Sequence, residues 1–160
     1  MTIQIGDKIP SVEVQFMGQS DVETINTDDL LGGQKVVIFA LPGAFTPTCS
    51  AAHLPGYVVH ADQFFDKGID KIICLSVNDA FVMDAWGKTQ NIDGKVMMIA
   101  DGSAHLTRAL GLELDLDGTG LGIRSQRYAM VVNDTVVETL NVEAPQQFEV
   151  SNAETILASI

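Results

Sequence analysis

The sequence predicts an α/β fold, a mixed central β-sheet flanked by helices on both faces. Three observations predict it. Lys35 to Leu41, Lys71 to Val77 and Lys95 to Ala100 are nearly continuous apolar runs, the pattern of strands buried on both faces. Stretches with helical spacing separate them. A hairpin-like pair and a last helix follow, so helices alternate with strands along most of the chain, which is how layered sheets are covered. At 160 residues the chain suits one domain spanning 1–160.

Each element has its own signal. Pro42-Gly43 ends the first run. Apolar residues recur at helical spacing from Thr48 to about Phe65, with Pro55 expected to kink or divide that helix. After the second run, Asn78 and Asp79 offer caps for a helix to about Gln90. Ser103 offers a cap for a short helix ending at Gly111. Arg127 to Val132 and Thr135 to Asn141 predict antiparallel strands joined at Asn133-Asp134. A helix is expected from about Asn152 to Ser159.

Composition narrows the function. Hydrophobic residues make up 46% and charged residues 19%, enough core to fold without disulfides or metals. The formal net charge of −12 opposes nucleic acid, because phosphate binding needs basic residues and only nine are present. It opposes anionic membrane surfaces for the same reason. The start of the chain lacks the basic and apolar regions of a signal peptide, and no apolar stretch approaches the ~20 residues of a membrane span. A cytoplasmic protein with its two cysteines as free thiols is the expectation.

The chemistry concentrates in Leu41-Pro42-Gly43-Ala44-Phe45-Thr46-Pro47-Thr48-Cys49-Ser50. A buried strand ends, a Pro- and Gly-rich turn follows, and a helix begins near Cys49. The carboxyl ends of strands are where sites form in open sheets. A helix N-terminus offers unpaired N–H groups and about half a positive charge, so a thiol there ionises readily. Thr46, three residues earlier, is close enough for its hydroxyl to reach the sulfur, and Pro47 suits a helix start. Position alone leaves Cys49 open between a reactive thiol and a small buried hydrophobe. Cys74, inside an apolar strand, reads as core.

The pattern Pro42-x-x-x-Thr46-x-x-Cys49 resembles the active-site signature of the peroxiredoxins. The longer run Pro42 to Ser50 with His53-Leu54-Pro55-Gly56, the segment Cys74 to Met83 with Trp86, and Arg127 to Val132 are similar to the peroxiredoxin-5-type (type II, atypical) branch. The similarity covers roughly Gly6 to Ile160. It implies a thioredoxin-like fold and a thiol peroxidase that reduces hydrogen peroxide and organic hydroperoxides.

On that resemblance Cys49 is the peroxidatic nucleophile, passing through a sulfenic acid. Thr46 hydrogen-bonds peroxide and sulfur, Arg127 sits beside the thiolate, and Pro42 shields it from water. The N–H groups of Thr48 and Cys49 add donors. Gly43, Phe45 and His53 support the pocket, His53 as a hydrogen bonder, not a base. Phe45 and Trp86 read as packing residues, at the dimer contact or the pocket rim. Arg124 competes locally with Arg127, and only the match to Arg127-Tyr128-x-Met130 selects between them.

One departure matters. Many peroxiredoxins carry a resolving cysteine near the C-terminus, whereas Asn141 to Ser151 contains none. The implied cycle is therefore one-cysteine, with glutathione and glutaredoxin as reductants, thioredoxin as an alternative, and a homodimer expected. No cofactor or metal is expected. The histidines and cysteines lack zinc-like spacing, Asp115 to Gly120 lacks a closing calcium ligand, and no Gly-Lys phosphate loop is present.

Rival readings remain. A thiol–disulfide oxidoreductase normally uses Cys-x-x-Cys, but Thr46 fills the first position. A cysteine hydrolase built on Cys49 and His53 lacks a third residue to orient the base. A redox sensor or oxidation-triggered chaperone would use the same thiolate as a peroxidase.

Overall fold

Strand alternation builds two hydrophobic clusters, one on each side of a single large sheet. In the computed structural model, which describes residues 1–160, β1 (Glu13–Met17) and β2 (Val22–Asn26) precede the short helix α1 (Thr27–Leu31). Then come β3 (Lys35–Ala40), α2 (Leu54–Asp66), β4 (Lys71–Ser76), α3 (Ala80–Thr89), β5 (Met97–Ala100) and α4 (His105–Ala109). The hairpin β6 (Glu113–Leu116) and β7 (Gly122–Ser125) leads to β8 (Tyr128–Asn133), β9 (Val136–Val142) and α5 (Ala153–Ala158).

The seven-stranded sheet has the order β2-β1-β5-β4-β3-β8-β9, and β6-β7 pair separately. β3, β4 and β5 are parallel, while β1 and β8 run antiparallel to their neighbours, so the sheet is mixed. Val37, Phe39, Cys74, Ala129 and Val131 face one cluster, covered by Leu54, Tyr57 and Phe64 of α2, Met83 and Trp86 of α3, and Ile156 of α5. Val36, Ile38, Ile73, Leu75, Tyr128 and Met130 face the other, with Leu30 and Leu31 of α1 and Leu106 of α4. The period of two in every strand makes this division.

Several boundaries differ from expectation. The β1–β2 hairpin and the β6–β7 hairpin went unforeseen, because their side chains are largely half-buried or exposed and the apolar signal is weak. Ser103 does not cap α4. Asp101, buried at the end of β5, accepts from the N–H groups of Leu106 and Thr107 instead. The β8–β9 turn lies at Asp134-Thr135, both at positive φ, one residue later than predicted.

Pro55 does not divide its helix, but the helical geometry changes just before it. A π-helical turn, Cys49–His53, runs directly into α2, and the Leu54 N–H reaches back to the Cys49 carbonyl. Proline has no N–H to give the residue four before it, and the wider turn skips that missing bond. Asn152 caps α5 through Thr155 N–H at 2.8 Å, as its sequence position predicts.

Candidate active site

The site assembles where β3 ends. The turn after it is held at three points: Arg124 Nη1 donates to the Pro42 carbonyl at 3.2 Å, Ala44 N–H donates to Asn78 Oδ1 at 2.9 Å, and the Thr46 hydroxyl donates to the Gly43 carbonyl at 2.7 Å. A Cβ at Gly43 would stand 2.6 Å from Arg124 Nη1, so glycine lets the guanidinium reach Pro42. Phe45 sits at φ 66°, a left-handed conformation that bulky residues rarely adopt and that clusters at functional sites.

Helical bonding begins with Ser50 N–H donating to the Thr46 carbonyl at 3.0 Å, which leaves the N–H groups of Thr48 and Cys49 ahead of the first bonded turn. Cys49 is fully buried, in the same hydrophobic cluster as Ala44 and Leu54. The sulfur is therefore closed off from solvent in this conformation. The Thr46 hydroxyl donates to Gly43, which leaves its lone pairs free to accept, and it makes no hydrogen bond to the sulfur in this conformation.

Arg127 does reach it. The β3–β8 register pairs Ala40 with Tyr128, so Arg127, the next residue outward, arrives across the sheet at the strand end. Its Nη2 lies 3.3 Å from Cys49 Sγ, and its Nη1 lies 2.8 Å from His53 Nδ1. His53 contacts the arginine rather than the thiol. Its other nitrogen, Nε2, is 3.1 Å from the Ser151 carbonyl. A carbonyl can only accept and a guanidinium can only donate, so the neutral ring with hydrogen on Nε2 satisfies both. Burial, and then the adjacent Arg127 charge, push the His53 pKa down to about 3, consistent with that neutral ring.

The family model described as Redoxin matches residues 4–157. Peroxiredoxin-2C of Arabidopsis thaliana is 47% identical over 159 residues, covering 99% of this chain and 98% of the relative. Reduced Prx3 of Vibrio vulnificus, solved in complex with H2O2, superposes with a TM-score of 0.96 at 55% identity, covering 99% of each chain. Peroxiredoxin 5 of Alvinella pompejana gives a TM-score of 0.87 at 37% identity, covering 98% of this chain and 97% of that one. The chain belongs to the peroxiredoxin family. Its mixed sheet with helices on both faces is accordingly the thioredoxin-like fold.

Within this peroxiredoxin the remaining residues are placed as follows. Phe45 is half exposed, with its ring 6.4 Å from that of Trp86. Trp86 is fully buried, and its indole N–H donates to Ser50 Oγ at 3.0 Å, tying α3 to the residue after Cys49. Cys74 lies in the middle of β4, where burial pushes its thiol pKa well up. Arg124, set aside as a competitor, secures the Pro42 turn.

Sequence reasoning missed Glu143, Phe148 and Ser151. Phe148 lies 4.9 Å from the His53 ring and 5.7 Å from the Arg127 guanidinium carbon. Nothing in the local sequence marks them, because their partners are distant along the chain.

Proposed function

We propose that this peroxiredoxin reduces hydrogen peroxide and organic hydroperoxides with Cys49 as the nucleophile and an external thiol as reductant. The observation that carries the reading is the Arg127 guanidinium 3.3 Å from the Cys49 sulfur, at the start of a helix. A fixed positive charge there favours thiolate, and its N–H donors can follow the negative charge from sulfur to oxygen.

The thiolate attacks one peroxide oxygen. An S–O bond forms, the O–O bond breaks, and the departing oxygen takes a proton to leave as water or alcohol. Cys49 is then a sulfenic acid. The N–H groups of Thr48 and Cys49 and the Arg127 guanidinium are the donors available to the oxygens. Pro42 and Phe45 form the rim, and Gly43 with Thr46 sets the turn.

A one-cysteine cycle follows from the two thiols. Cys74 is fully buried in β4, and no other cysteine exists. Glutathione would condense with the sulfenic acid, releasing water and leaving a mixed disulfide. A second glutathione would release Cys49 as the thiol with oxidised glutathione as product, or glutaredoxin would take the glutathionyl group from Cys49 and pass it to a further glutathione, giving the same product. Because Cys49 is buried, exchange needs the turn Cys49–His53 to open. A cytoplasmic homodimer is part of this reading, with exposed Phe45 and Phe81 as candidate contacts.

Peroxide consumption with glutathione alone, with added glutaredoxin and with thioredoxin tests it. Turnover with glutathione, faster with glutaredoxin, is expected. Turnover with thioredoxin alone would replace the reductant, and no turnover with any of the three would favour a sensor.

A further inference from the structure

The segment after β9 is folded around one carboxylate. Glu143 is buried. Its carboxylate accepts from the N–H of Glu149 at 2.9 Å, of Val150 at 2.9 Å and of Ser151 at 2.8 Å, and from the Ser151 hydroxyl at 2.7 Å. Burial raises its pKa, but these hydrogen bonds outweigh it and hold the group below the usual carboxylate range. Residues 143–151 thus form a strap closed on a charged acceptor.

The strap ends at the site. The Ser151 carbonyl accepts from the Tyr57 hydroxyl at 2.7 Å and faces His53 Nε2 at 3.1 Å. Phe148, within the strap, covers both the His53 ring and the Arg127 guanidinium. Glu143 stands next to Arg127 across the sheet, its N–H donating to the Arg127 carbonyl at 2.9 Å. No ion pair joins the two side chains. The carboxylate is taken up by the strap, and His53 bridges to the guanidinium.

We propose that Glu143 is a positioning residue for Arg127: the strap it folds fixes the Ser151 carbonyl, the carbonyl fixes the His53 tautomer, and the ring nitrogen left bare holds the guanidinium against Cys49. The effect reaches the sulfur through three intermediates, without any contact between Glu143 and Cys49. The inference rests on Arg127 as the partner of the thiolate, and its test separates the two claims.

The readout is the pH profile of Cys49 alkylation by iodoacetamide, in the full chain carrying Cys74→Ser so that one thiol reports. The midpoint follows ionisation, while the plateau follows access. Arg127→Gln is expected to move the midpoint upward, and Glu143→Gln to move it upward by about one pH unit, roughly a tenfold loss of thiolate below the midpoint. The double variant should match Arg127→Gln alone, because one path serves both.

A folded Glu143→Gln protein whose midpoint stays at the parent value overturns the inference. So does a double variant in which the two shifts simply add. If Arg127→Gln itself moves nothing, the thiolate–guanidinium reading falls and the inference with it. Peroxide consumption by the parent tests the peroxidase reading separately. Should Glu143→Gln fail to fold, His53→Gln takes its place: the amide can still donate to Ser151 but offers Arg127 no acceptor at the Nδ1 position. An upward shift supports the path, and an unmoved midpoint overturns it.

Discussion

Cys49 and Cys74 lie in the same hydrophobic cluster, both fully buried, yet their surroundings differ in kind. Cys74 sits mid-strand between Ile73 and Leu75, paired with Phe39, and burial first, then the nearby Cys49, push its thiol upward with no cation beside it to oppose them. Cys49 sits where a strand has ended and helical bonding has begun, with a guanidinium at 3.3 Å. Burial therefore does not distinguish the two thiols. The separation comes from the end of a regular element, where backbone donors are unpaired and a charge from another strand can arrive.

The largest effects come from exchanging the two sulfurs in turn. Cys49→Ser should reduce peroxide consumption to background, and Cys74→Ser should retain most of the parent rate. If the Cys74 variant were equally inactive, the one-cysteine cycle would have to be abandoned. Next is Arg127→Gln, which keeps a polar side chain and removes the charge. A loss of about 10²–10³ in kcat/KM for peroxide is expected, the scale of one preorganised charged donor. A loss under threefold would mean that the helix start alone sustains the thiolate.

How much of this was legible in the sequence follows the range of each interaction. Strands β3, β4, β5 and β8 and the Asn152 cap were readable, because periodicity and capping are local signals. The exposed edges at β1–β2 gave too little apolar pattern. The cap of α4 went to Asp101, outside the helix's own start. At the site, Cys49 and Arg127 were chosen by resemblance, and the geometry brings them together. The Thr46 hydroxyl turned to Gly43, which no spacing rule foretells. The path Glu143–Ser151–His53–Arg127 joins residues up to 98 apart, so no window of sequence contains it.

Lowering the pH sharpens the contrast through His53. The unfolded imidazole titrates near 6.5 and the folded one near 3, so between those values the unfolded chain binds a proton that the folded chain refuses. Stability from this residue is full above about pH 6.5 and falls as the pH drops toward 3. By pH 5 the loss is about 2 kcal/mol. Urea unfolding at pH 7, 6 and 5 should show it in the parent and not in His53→Gln. Equal slopes in both proteins would show that other groups govern acid destabilisation.

The smallest effect is the most informative about access. Trp86 ties α3 to Ser50 through a hydrogen bond of 3.0 Å, at the residue next to the buried sulfur. On the one-cysteine reading Cys74, mid-strand in β4, has no need to emerge. Trp86→Phe removes the N–H while keeping an aromatic ring, at a net cost of about 0.5–1.5 kcal/mol. If the Cys49–His53 turn must open before a thiol attacks, that amount makes the open form roughly two- to tenfold more populated. Glutathione-dependent recycling, measured at saturating peroxide, should rise by a similar factor while peroxide attack, measured in single turnover, stays near the parent rate. A variant that loses stability without any gain in recycling would show that opening does not gate the exchange, and that glutathione reaches the sulfur by another route.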